Sequence, residues 1–130
     1  MKTTLVTTLI LLTTTLAFSS CKDNGYTPPK NIVSTFKAKY PSAKRVEWEV
    51  KNTYQVAEFH IGFTEAEAWF DNNGQWVMTE SDVKYSSLPM VIRNSFESGE
   101  YGKWKVEDVD KLERSGMETI YIIEAELGEQ

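Results

Sequence analysis

One cysteine, Cys21, and one histidine, His60, are all that this chain of 130 residues contains of either type. A lone cysteine rules out a disulfide within the chain, so buried apolar surface has to carry stability. A lone histidine rules out a metal centre built on two imidazoles of one chain. The serines stand in no arrangement with a base and an orienting acid, so no hydrolytic triad is legible. Positive charge is also scarce, with 14 Lys and Arg against 19 Asp and Glu. Without residues 1–20 the balance is 13 basic to 19 acidic, a net charge of −6. Such a chain is a poor ligand for phosphate backbones, and nucleic acid is not an expected partner.

The one long apolar run stands at the start. Lys2 precedes an uncharged stretch, Thr3 to Phe18, that carries Leu5, Val6, Leu9, Ile10, Leu11, Leu12 and Leu16. It is too short and too rich in threonine for a spanning helix of about 20 residues. Its dimensions are those of a secretory leader. Leu16-Ala17-Phe18-Ser19-Ser20-Cys21 resembles a bacterial lipobox, with Phe18 standing where Leu, Val or Ile is usual. That resemblance implies acylation of the Cys21 thiol and removal of residues 1–20 as a lipoprotein-type signal peptide. Two or three acyl chains anchor stably. Lys22 stands where Asp would signal inner-membrane retention, which points to the outer membrane. The expectation is an exported cell-envelope protein, facing the periplasm or the surface and touching the membrane only through its lipid.

Residues 21–29 read as a polar tether interrupted by Gly25, Pro28 and Pro29, and residues 30–130 as the domain. A helix is expected from Pro29, with Ile32, Val33, Phe36 and Tyr40 on one face and Pro41 ending it. The period then changes to two. Val46, Trp48 and Val50 alternate with charged residues, Lys51-Asn52 is a turn, and Thr53 to Phe63 is a second strand. Glu65 to Phe70 and Gln75 to Glu80 follow, joined at Asp71-Asn72-Asn73-Gly74, whose Asn and Gly accept the positive φ of a hairpin turn. A second helix opens at Pro89, with Ser86 or Ser87 as cap and Val91, Ile92 and Phe96 as its apolar face. Trp104 to Lys111 and Thr119 to Leu127 are the last two strands.

This order repeats. Pro29, Ile32, Phe36 and Val46 reappear sixty residues later as Pro89, Ile92, Phe96 and Val106. Tyr54 and Val56 correspond to Tyr121 and Ile123 after a longer hairpin. The fold class is therefore read as α+β, with tandem helix-plus-antiparallel-sheet repeats over about 30–84 and about 86–130, the second short. A free apolar edge on Tyr121 to Leu127 would invite pairing with another chain. That segment is expected in the middle of the sheet, or else as a site of dimerisation or strand addition.

Four segments carry a more specific resemblance. They are Phe36-(x)3-Tyr40-Pro41-x-Ala43-(x)2-Val46-x-Trp48, then Tyr54-x-Val56, then Glu67-Ala68-Trp69-Phe70-Asp71-(x)2-Gly74-x-Trp76-(x)2-Thr79-Glu80 with Leu88-Pro89. Together they resemble the PepSY-like, β-lactamase-inhibitor-like family of bacterial exported proteins. The resemblance implies helices on one face of an antiparallel sheet and an open opposite face. It implies binding of an envelope or secreted protein, with inhibition of an enzyme as one form of it, and no catalysis or cofactor. It also implies a longer second half than Gly128-Glu129-Gln130 provides, so the repeat is trimmed or the sequence is part of a longer chain.

Glu47 with Glu49, Glu65 with Glu67, and Asp108 with Asp110 each share a strand face and read as solvated pairs. Asp71 to Gly74 is not a calcium loop, because Trp69 stands where the first ligand of an EF-hand would be. No metal ligand is therefore assigned. Alternation puts Trp48, Phe59 and Phe70 in the core and Tyr54, His60 and Trp69 on the opposite face, where rigid aromatic side chains suit protein recognition. An alternative use of the open face and its acidic edge is as an envelope sensor or binder of a small molecule or metal ion.

Overall fold

The computed structural model describes residues 25–128. The leader, residues 21–24 of the tether with Cys21 among them, and Glu129 and Gln130 lie outside the described residues. Helix α1 (Lys30–Lys39) precedes strands β1 (Lys44–Lys51), β2 (Tyr54–Ile61), β3 (Thr64–Phe70) and β4 (Trp76–Asp82). A short 3-10 turn (Tyr85–Ser87) leads into α2 (Met90–Ser98), β5 (Lys105–Arg114) and β6 (Ile120–Glu126). The six strands form one sheet in chain order, every neighbour antiparallel.

Helix α1 starts where Pro29 fixes the chain, and the Pro29 carbonyl accepts from the backbone N–H of Ile32 and Val33 at 3.0 and 3.2 Å. Its two buried residues, Ile32 and Phe36, are four apart and share a face. They rest on a floor of small side chains, since Ala57 and Ala68 are paired across β2 and β3. Alanines there let the helix approach closely enough for Phe36 to stand edge-on to Phe59 at 5.0 Å and to Trp48 at 5.3 Å. Phe70 completes this core. Buried Thr79 is bonded by Trp76 Nε1 at 2.8 Å and by the Tyr40 hydroxyl.

Turns set the register. The Asp71 carboxylate accepts from the backbone N–H of Asn73 and Gln75, each at 2.9 Å, which closes the β3–β4 loop. Gly74 has φ of 82°, and a Cβ there would come within 2.7 Å of Asn31 Nδ2. The β1–β2 turn is Asn52-Thr53, one residue later than the sequence implied, with φ of 56° at Asn52. Strand β2 stops at Ile61 rather than Phe63, because Gly62 turns with φ of 62° and leaves Phe63 in solvent.

The second half departs further from expectation. Pro89, not Ser86 or Ser87, occupies the start of α2, and the Ser87 hydroxyl donates instead to the Lys84 carbonyl at 2.7 Å. No residue of α2 is fully buried; Ile92 and Phe96 are half-buried and Val91 is exposed. The order of elements α1–β1–β2 recurs as α2–β5–β6, but the two helices are buried unequally. Strand β6 does not lie mid-sheet. Among the described residues it pairs only with β5, because β4 continues the antiparallel series through β5 and leaves β6 at the edge. Among the described residues no helix is long and apolar enough to cross a membrane.

Candidate functional site

The face turned away from α1 is built from the residues that alternate with the core. Cross-strand pairing aligns Glu47 with Glu58, Glu58 with Glu67, and Glu67 with Glu80, so four carboxylates lie in one row over four strands. Two positions along, the row is Glu49, Val56, Trp69, Met78 and Arg114. On the other side His60 faces Glu65, and Asp82 faces Asp110, which in turn faces Ile122. Like charges directly opposite each other destabilise a sheet.

Lys51 relieves part of this strain. Its ammonium reaches across β2, lying 2.9 Å from Glu49 and 2.9 and 3.0 Å from the two oxygens of Glu67, but 3.9 Å from Glu58. It also lies 5.5 Å from the centre of the Trp69 ring. Hydrogen bonding from Lys51 lowers the Glu49 pKa. Burial pulls Lys51 downward, yet Glu49 and Glu67 outweigh that and raise it. Glu58 is left with the repulsion: desolvation, then the neighbouring Glu49, push its carboxyl up to about 7. Asp110 is raised to about 6 by desolvation and by Asp108, Glu80 and Asp82.

The three aromatic residues singled out by alternation all lie on this face, each half-buried. Tyr54 and Trp69 meet edge to face at 5.9 Å. His60 is not with them; six residues along β2 place it about 20 Å from Tyr54. Trp69 Nε1, His60 Nδ1 and Arg114 Nε are buried atoms that have no hydrogen-bond partner among the described residues. Ile120 and Ile122 extend the apolar surface to the edge, at 41% and 42% exposed. A shallow depression of about 110 Å³ lies among Glu65, Glu67, Glu80 and Asp82.

Carboxylate oxygens of Glu49, Glu58 and Glu67 lie within 4.8 Å of one another, a donor set that suits a hard divalent cation. Lys51 already holds that space with its own charge. The sequence displays the acidic pairs along each strand but not these groupings across strands. Lys51 was missed for the same reason: its role depends on reaching over a neighbouring strand.

The geometry defines a class: an antiparallel sheet with a helix-backed aromatic core and an opposite face of carboxylates and aromatic rings. Residues 52–130 match the family model described as "Putative beta-lactamase-inhibitor-like, PepSY-like". A BLIP-like protein from Bacteroides fragilis is 35% identical, with a TM-score of 0.74 over 82% of this chain and 77% of that one. A DUF2874 family protein from Bacteroides ovatus is 38% identical, with a TM-score of 0.73 over 79% and 74%. Another from Bacteroides uniformis is 27% identical, with a TM-score of 0.72 over 78% and 74%. No curated protein matches the chain. The chain belongs to the PepSY-like, β-lactamase-inhibitor-like family.

Proposed function

We propose that this chain is a non-catalytic lipoprotein of the cell envelope, exported by its leader and anchored through Cys21, that binds a protein partner on the open face of its sheet. Inhibition is the form that binding takes where the partner is an enzyme. The observation that carries the reading is the aromatic pair Tyr54 and Trp69, half-buried on the face turned away from α1. Rigid rings beside unpaired polar atoms give a protein interface both area and orientation. A row of glutamates paired like against like across four strands opposes folding, and a use in binding accounts for it. The proposal also takes the two helix–strand–strand runs as unequal copies of one unit.

The test is capture from the native envelope with wild-type protein and with Trp69→Ala and Tyr54→Ala. A partner retained by wild type and lost by both variants, at unchanged melting temperature, supports the reading. Equal retention by all three contradicts it.

A further inference from the structure

The distribution of charge over the two faces identifies the chemistry of the partner. Strands β2, β3 and β4 contain no lysine or arginine on either face. All their carboxylates lie on the open side, apart from the core, and Lys51 reaches in from β1 to meet Glu67. Among the described residues, no cation stands within salt-bridge distance of Glu65, Glu80 or Asp82. Helix α1, on the opposite side, carries Lys30, Lys37 and Lys39 and no acidic residue. The molecule is therefore electrically two-sided, and its negative side is the unpartnered one.

Lys51 displays what this face does with a cation. Two carboxylates grip its ammonium while the Trp69 ring lies beside it. Lys51, with Lys44 opposite His60 and Arg114 opposite Met78, still leaves most of the carboxylates on the face unneutralised. We infer that the open face docks a Lys- and Arg-rich surface of a protein partner. The carboxylate rows take the cationic ends, and Trp69, Met78 and Ile122 take the apolar stems those side chains carry. This rests on the docking reading above and adds the partner's charge to it.

Proton linkage follows from the same cluster. Glu58 is faced by Glu47, Glu49 and Lys51 from β1, by Glu67 and Trp69 from β3, and by His60 on its own strand. Repulsion and desolvation keep Glu58 largely protonated below neutrality. An arriving cation favours the ionised form, so docking releases a proton and tightens as pH rises through about 7.

The probe is octa-arginine, added to the full-length protein isolated from membranes in detergent. Carboxylate labelling read by mass spectrometry locates it, and calorimetry measures affinity at pH 6 and pH 8. The expected result is protection of Glu58, Glu67 and Glu80, with Glu97 and Glu118 unchanged. Affinity should be tighter at pH 8, Glu58→Gln should reduce that difference, Glu58→Gln with Asp110→Asn should remove it, and Glu67→Gln should weaken binding about two- to fivefold. Uniform protection of all carboxylates, or a pH effect left undiminished by Glu58→Gln, overturns the inference. Protection that grows with protein concentration without peptide, and disappears in Lys37→Glu, also overturns it, because the occupant is then a second copy's α1. An envelope protein cross-linked at residue 69 through a surface lacking excess Lys and Arg overturns the basic partner but leaves the docking face standing. Failure of any protein to cross-link there removes both.

Discussion

Glu58→Gln keeps the shape of the side chain and removes its charge, so it isolates the strain on the open face. In the folded protein the Glu58 carboxyl is raised from an ordinary 4.5 to about 7, by desolvation first and by Glu49 next. The folded state therefore holds this proton more tightly than the unfolded chain does. Stability from Glu58 is full below about 4.5, declines as pH rises, and is lost once pH passes about 7. The interval corresponds to about 3 kcal/mol if the group were dry. Its side chain is 41% exposed, and solvent screening reduces the effect to about 1 kcal/mol. Glu58→Gln should then raise the melting temperature at pH 8 by about 4–8 °C and leave it nearly unchanged at pH 4. Thermal denaturation followed by circular dichroism at the two pH values measures this. A variant shifted equally at both, or less stable than wild type at pH 8, refutes the crowding of Glu58 by its neighbours.

Two further outcomes follow from burial and from the leader. Phe36→Ala should cost about 3–5 kcal/mol in urea unfolding, whereas half-buried Phe96→Ala should cost clearly less; equal losses would mean α2 is packed as tightly as α1. Cys21→Ala should move the protein from the membrane fraction to the soluble one. A wild-type protein that is already soluble, with a thiol open to maleimide, would contradict the lipid anchor.

The first half of the fold is legible because its signals are local. Proline brackets α1, Ile32 and Phe36 fall four apart, and Ala66, Ala68 and Phe70 alternate with Glu65, Glu67 and Trp69. Local period also separates the two faces of β2 and β3, so the burial of Phe59 and Phe70 follows from spacing alone. Strand order is not local. An exposed edge was expected to be avoided, yet β6 lies at one, because β4 pairs with β5 rather than with β6. Helix α2 shows the limit of periodicity from the other side. Val91, Ile92 and Phe96 form an apolar stripe by spacing, but spacing does not state how much surface waits to cover it, and Val91 remains exposed. The candidate site was half visible. Tyr54 and Trp69 were placed by alternation, whereas the grouping of Glu49, Glu58 and Glu67 around Lys51 depends on register across three strands.

The measurement that bears most directly on the docking face is positional photo-cross-linking in the intact envelope. Benzoylphenylalanine replaces Trp69 in one variant and Lys37, exposed on α1, in another. The account predicts a discrete protein adduct from position 69, competed by octa-arginine, and none of comparable yield from position 37. Adducts from position 37 alone, with position 69 unreactive in a correctly folded variant, would place the partner on the helical side and contradict the account.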